Sequence, residues 1–231
     1  MIIWCSLEGD KPMGVSIIST TYNDSHFLPK ALSSCLQQDI EKEIIIIDDC
    51  STKPFDLDAQ ALVSQHGMRY IRHTKNQGLS AARNTGIAAA KYPWIIPLDA
   101  DDWFYPNAIK SLYEAKEGFE IICGSCSDGG IYVPAIAREP LSPALFKREN
   151  PLICSSLLTK EKWSRVGGYT DRNHAHYEDY NFWAKCFKAG ARFKYIPVTV
   201  YNHTSRENSM LRQLQSRGDY FRKLATEGVF D

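Results

Sequence analysis

From Val15 onward the chain alternates short, unbroken apolar runs with longer stretches of helical spacing. Val15–Ser19 is the first such run and ends in Thr20-Thr21-Tyr22-Asn23; Glu43–Ile47 is the second and ends in Asp48-Asp49. Met68–Arg72 reads as a third strand and Trp94–Leu98 as a fourth, closing on Asp99-Ala100-Asp101-Asp102. Between them, Phe27–Leu36 sets Phe27, Leu28, Ala31, Leu32, Cys35 and Leu36 on one helical face, and Leu57–Gln65 and Leu79–Lys91 read as further helices. Strands of continuous Ile and Val, without polar alternation, predict a parallel sheet covered on both faces and joined by right-handed crossovers. In such sheets ligands sit beyond the carboxyl ends of the strands. The polar clusters 20–23, 48–51 and 99–102 fall at three of those ends.

After about residue 105 the pattern loosens. Ile121–Cys126 and Ile131–Val133 read as strands around a turn signal at Asp128-Gly129-Gly130, followed by a Pro-interrupted connector over Arg138–Asn150. Ile153–Thr159 leads to a helix near Lys160–Val166 and a break at Gly167-Gly168. Asp179–Ala189 is predicted helical, with Phe182, Trp183, Cys186 and Phe187 available for burial, and stops at Gly190. Phe193–Ile196 and Val198–Tyr201 are predicted as two short strands, and Leu211–Leu224 as a terminal helix.

Charge and composition narrow the partners. Lys+Arg and Asp+Glu are equal at 27 each, so no overall charge draws the chain to nucleic acid or an anionic membrane. Met1–Pro12 lacks the basic start and long apolar stretch of a signal peptide, and no run reaches the length of a membrane span of about 18 apolar residues. Seven cysteines, an odd number scattered along the chain, point to reduced thiols and a cytoplasmic setting. Cys123-Gly-Ser-Cys126 has C-x-x-C spacing, but within a strand the two side chains face opposite ways and read as packing residues.

The candidate chemistry lies in the polar clusters. Three carboxylates within 99–102 repel one another unless a cation or basic groups compensate. In an extended segment Asp99 and Asp101 share a face, and hard oxygen ligands suit Mg2+ or Mn2+ on a diphosphate; the plainer reading is a solvated acidic turn. Asp48-Asp49 can accept from a base N–H or ribose hydroxyl, or simply end a strand. Over Asn76–Gly86, Gly78 allows close backbone approach, small residues at Ala82, Gly86 and Ala89 let a helix lie close to the sheet, and Arg83 is offset toward the strand-end carboxylates. Neither glycine-rich phosphate-loop pattern occurs.

Taken in order, Thr20–Asn23, Ile46–Ser51, Asn76–Gly86, Leu98–Asp102, Gly167-Gly168-Tyr169 and Glu178-Asp179 resemble the family 2 glycosyltransferases of GT-A fold. The similarity covers roughly residues 14–205. It implies an α/β fold whose mostly parallel nucleotide-binding sheet is flanked by helices, with a smaller mixed acceptor-side portion. It divides the chain into an extension over 1–13 and one domain over 14–231, with a nucleotide-sugar half at 14–104 and an acceptor half at 105–231.

The resemblance also implies roles. Thr20, Thr21, Tyr22, Asn23, Asn76, Gly78, Arg83, Asp99 and Ala100 would line the nucleotide-sugar site, and Asp49 would contact the base. Asp101 would hold a divalent cation, Mn2+ or Mg2+, with His203 as a further ligand or a plain solvated histidine. Asp179 would be the general base, and Glu178, Trp183 and Tyr169 would lie on the acceptor side. His174-Ala-His176 reads as an acceptor-side loop rather than a metal pair. The expected activity is inverting transfer of one sugar from a nucleotide-diphosphate sugar, a UDP-sugar favoured, to a hydroxyl of a surface glycan, lipopolysaccharide or capsule precursor. The expected setting is the cytoplasm, at the inner face of the membrane. The Q-x-x-R-W of processive synthases is missing after Asp179, which argues for single transfer. A sugar nucleotidyltransferase and a non-catalytic nucleotide-sugar-binding module are the competing readings.

Overall fold

The computed structural model describes residues 13–128, 131–133, 140–170, 177–204 and 226–230, with 131–133 described by backbone alone. The expectations placed on residues 1–12, His174, His176 and Leu211–Leu224 lie outside the described residues.

β1 (Val15–Thr21), β2 (Lys42–Asp48), β3 (Arg69–Arg72) and β4 (Trp94–Asp99) form a parallel block, connected through α1 (Leu28–Leu36), α2 (Leu57–Gln65) and α3 (Leu79–Ala89). The unbroken apolar runs are explained by cover on both faces. Ile17, Ile44, Ile46, Ile96 and Leu98 join a core cluster with Leu28, Ala31 and Leu32 of α1, while Ile18, Ile45, Ile47 and Ile95 join a second with Ala82 and Ile87 of α3. Each fully buried Ile contributes roughly 1.5–3 kcal/mol relative to exposure. α3 rests on the sheet at Gly86, where a Cβ would lie 2.3 Å from Ile18 Cγ2. The small-residue face expected for this helix is therefore its contact face.

The second half adds β5 (Trp103–Phe104), α4 (Ala108–Glu114), β6 (Ile121–Asp128), β7 (Ile131–Val133), α5 (Pro143–Arg148), β8 (Leu157–Thr159), α6 (Lys160–Arg165), α7 (Glu178–Lys188) and β9 (Phe193–His203). Among the described residues the strands make one sheet in the order β3-β2-β1-β4-β8-β6-β9-β5, with β7 on β6. β8 runs antiparallel to both β4 and β6, so the parallel block continues into a mixed one. It meets β4 only at Trp94 and Ile95. Pro97, which has no N–H to give, therefore lies where β4 has a strand on one side only.

Several expectations change. The two short strands at 193–201 are one strand, β9, whose pairing with β6 shifts register between Cys123 and Cys126, across from the stretch that contains Pro197. Gly124 is required there, since a Cβ would sit 2.5 Å from the Val198 carbonyl oxygen. The connector before Asn150 contains α5, with the Ser142 side chain accepting from the Leu145 N–H and Pro143 in its first turn. Strand pairing begins only at Leu157, and α4 and β5 occupy the segment after residue 102 that gave no clear pattern. Cys123 and Cys126 do fall in opposite clusters, and all six described cysteines are free thiols. Among the described residues, no helix is long and apolar enough to cross a membrane.

Candidate active site

The carboxyl ends of β1, β2 and β4 are level: Thr21 is registered with Asp48, and Thr20 with Asp99. The three polar clusters therefore surround one mouth. Asn23 and Cys50 turn the chain there with positive φ of 62° and 64°. The Asn23 side-chain oxygen accepts from the N–H groups of Thr52 (2.8 Å) and Lys53 (2.9 Å), which latches the loop after β1 to the loop after β2. Tyr22 stands 45% exposed at this mouth, and Thr20 and Thr21 are buried beneath it.

Asp48 and Asp49 have separate tasks. Asp48 is fully buried, accepts from Ser51 N–H (2.8 Å) and Tyr70 hydroxyl (2.6 Å), and pairs with Arg72. Burial pushes its pKa up, but the hydrogen bonds and the Arg72 charge carry it below the usual carboxylate range. Asp49 accepts from His73 Nδ1 (2.6 Å), Gln77 N–H (2.9 Å) and Gly78 N–H (2.7 Å). Its carboxylate is thus a strut for the loop that opens α3. Gly78, the residue preceding that helix, has φ +86°, which a side chain would strain. Asn76 is exposed on the same loop.

Arg83, on α3, is 1% exposed and forks between two distant carboxylates. Its Nη2 donates to Asp99 Oδ1 (2.8 Å) and its Nη1 to Glu178 Oε1 (2.5 Å). Nη2 also reaches Cys154 Sγ at 3.0 Å, and the guanidinium lies 5.5 Å from the Tyr169 ring centre. Burial opposes its charge, yet Asp99, Cys154 and Glu178 together raise its pKa well above the ordinary value.

In the acidic turn, the Asp102 N–H donates to the Asp99 carbonyl, and Ala100 is buried. Asp102 Oδ1 accepts from the Thr204 N–H (2.9 Å), while the Thr204 hydroxyl donates to the Asp101 carbonyl (2.6 Å). The turn is thus clasped to the end of β9, where His203 precedes Thr204 and its Nδ1 lies 3.9 Å from Asp128 Oδ1. Among the described residues, no three His, Cys, Asp or Glu side chains form a group able to hold a metal. Mn2+ or Mg2+ on a nucleotide needs no such cage, because one or two carboxylates and the phosphate oxygens suffice. Asp101, with the imidazole of His203 on the adjoining strand end, has the donor chemistry for that role.

Asp179 lies in the first turn of α7, beside Glu178, and keeps part of its surface accessible. Its oxygens accept from Asn150 Nδ2 (3.0 Å) and Tyr180 N–H (2.7 Å). Burial of the carboxyl and the adjacent Glu178 charge push its pKa up to about 7, against the pull of Arg83 and of these hydrogen bonds. An acid with that value exchanges a proton near neutrality.

The structure brings Arg83, Asp99, Glu178 and Asp179 together with the Tyr169 ring beside the arginine, and places Trp183 inside the core. Trp183 is fully buried in the second core cluster, and Tyr169 is 3% exposed and stacked on Phe182, so both rings serve packing. Glu178 faces Arg83. Asn150, Cys154 and Thr204 join the site without any local signal in sequence. Asn84 also acts here: its side chain accepts from Tyr169 N–H and Trp163 Nε1 (2.9 Å each), binding α3 to the Gly167-Gly168 turn.

Comparison with known proteins identifies the family and the fold. The model of glycosyl transferase family 2 matches residues 16–176. Chondroitin synthase of Escherichia coli is 26% identical over 235 residues, covering 93% of this chain but 32% of its own. Among solved structures, S. aureus TarS 1-349 in complex with UDP-GlcNAc has a TM-score of 0.73 at 19% identity, covering 93% of this chain and 66% of that one. The mannosyltransferase PcManGT of Pyrobaculum calidifontis, in complex with GDP-Man and Mn2+, has a TM-score of 0.68 at 18% identity, covering 93% and 64%. At such identities the structural likeness is one of fold, the GT-A glycosyltransferase fold. The chain spans about a third of the chondroitin synthase and just under two thirds of the two solved chains.

Proposed function

The chain belongs to glycosyl transferase family 2, and from that premise we propose that it is an inverting glycosyltransferase. It moves one sugar from a nucleotide-diphosphate sugar, a UDP-sugar by preference, to an acceptor hydroxyl in cell-surface glycan, lipopolysaccharide or capsule assembly. It works at the cytoplasmic face of the membrane. The observation that carries the reading is the pair of acidic stations at the sheet mouth, one of them with a carboxyl poised near neutrality.

In this reading the exposed Tyr22 and the hydroxyls of Thr20 and Thr21 frame the nucleotide, with Asn23, Asn76, Gly78, Asp99 and Ala100 at its edges. Asp49 already uses three of its roughly four lone-pair positions on the 73–78 loop and offers the remainder to a base N–H. Asp101 and His203 would hold a divalent cation, which would supply charge neutralisation to the leaving diphosphate. Asp179 takes the proton of the acceptor hydroxyl as its oxygen attacks the anomeric carbon opposite the leaving diphosphate. That single displacement inverts the anomeric configuration. The Asn150 amide orients the Asp179 carboxylate for it.

A donor panel tests the proposal. Purified protein with Mn2+ is incubated with UDP- and GDP-sugars and short glycan acceptors, and released nucleotide and glycosylated product are measured. Turnover of at least one donor, with an inverted linkage by NMR, is expected. Nucleotide-sugar formation from a sugar phosphate and a nucleoside triphosphate would replace this reading with that of a nucleotidyltransferase.

A further inference from the structure

Arg83 holds a position that neither station requires by itself. It lies on α3, whose entrance loop is braced by Asp49, and its two terminal nitrogens point to opposite sides of the site. Asp99 ends β4 and Glu178 opens α7, so the fork links the strand that carries the acidic turn to the helix that carries the base. We propose that Arg83 is the positioning residue that makes the donor-side and acceptor-side carboxylates one mechanical unit, setting Asp179 relative to Asp99 through Glu178. The inference rests on the glycosyltransferase reading for its consequence, but not for its geometry.

Stability alone is a poor account of this contact. A buried ion pair gains little over well-packed apolar side chains of similar volume, because both charges must be desolvated. Arg83 Nε is buried without a partner among the described residues, so the side chain is held in its fork although one donor is left unmet. Lysine would keep the charge, but as a single point it cannot span both carboxylates in a planar fork. The contact therefore specifies geometry.

Among the described residues, the groups around Asp179 are Glu178 on its own helix, Arg83 from α3, Asn150 and Cys154 from the segment between α5 and β8, and Tyr169 from the turn after α6. Arg83 is the cation among them. Loss of the fork removes the attraction that favours ionised Asp179 and releases Glu178, so the pH at which the base becomes active rises.

A double-mutant cycle decides the matter. Asp99→Asn and Glu178→Gln are made singly and together, in the wild-type and in the Arg83→Lys background, and kcat, donor KM and the pH profile of kcat are measured. In the wild type each single change is expected to lower kcat about tenfold, and the double change little further. In the Arg83→Lys background, which keeps the charge but not the fork, the coupling disappears; Arg83→Gln, which removes the charge as well, places the pH midpoint above that of the wild type. Additive single effects in the wild type overturn the proposal, whether or not Arg83→Lys folds. So does an unmoved pH midpoint in a folded Arg83→Gln. If no donor is turned over by the wild type, the functional reading fails separately. The same four proteins are then compared by thermal midpoint, where additivity again rejects the link and non-additivity retains it.

Discussion

At the end of β4 three carboxylates lie within four residues, and at the start of α7 two lie side by side, yet the two groups are built for different work. The turn at 99–102 sits at the level mouth of a parallel sheet, with Asp99 tied to Arg83 and Asp102 to the Thr204 N–H. Asp101 stands between them. Crowded negative charge in that place invites a cation. The pair at 178–179 is walled by Tyr169, Cys154 and Asn150, and there Glu178 takes the arginine while Asp179 is pushed up to about 7. Side-chain type is the same in both places. In the proposed function, hydration and partners divide the labour, one station collecting positive charge and the other exchanging a proton.

The comparison is broken most severely at the base. Asp179→Asn should lower kcat by about 10²–10⁴-fold with donor affinity retained, as read by steady-state kinetics and calorimetry. Asp101→Ala, or chelation with EDTA, should lower transfer on the order of 10³-fold. Unlike the first change, it should also remove the cation dependence of donor binding. Transfer by the wild type should rise with pH through about 7, as Asp179 ionises. Asn150→Ala takes away a donor to the ionised form and should move that midpoint upward.

The same shift has a stability consequence. The folded pKa of Asp179 is raised, so between its unfolded value of 3.8 and about 7 the folded protein binds the extra proton, and stability falls as pH rises through that window. Asp179→Asn should therefore melt at a higher temperature than the wild type at pH 8, with the gap closing toward pH 4. As a control away from both stations, Gly86→Ala should cost about 1–3 kcal/mol by crowding Ile18, despite a better helix propensity, and leave the pH midpoint of a folded sample unmoved.

The parallel block was readable in sequence because cover on both faces demands continuous Ile and Val, as in Ile44–Ile47. The position of the mouth followed from the polar residues ending three such runs. Arg83 was readable as a partner for a strand-end carboxylate, and Asp99 is one. The rest depended on contacts far apart along the chain. Asn150 meets Asp179 across 29 residues, Cys154 meets Arg83 across 71, and Thr204 meets Asp102 across 102. No local periodicity encodes those. Trp183 and Tyr169 pose the opposite problem, since in sequence aromatic residues near an acidic pair fit a sugar platform and a core wall equally well, and only burial tells the two apart. In sequence Pro197 separates Phe193–Ile196 from Val198–Tyr201, whereas in β9 the register shift against β6 accommodates it.

The place of β8 bears on how the molecule is assembled as it is synthesised. β4 is complete by residue 99, but the strand that pairs with its other side, at Trp94 and Ile95, is not made until 157–159. Until then the nascent sheet carries an open, strongly apolar edge, the kind of surface on which chains stick to one another. A truncation before residue 157 should leave that edge permanently bare and drive the product into aggregates. Splitting the chain at the middle would therefore not yield a soluble donor-binding half, for the strand that begins to close its edge is encoded in the other.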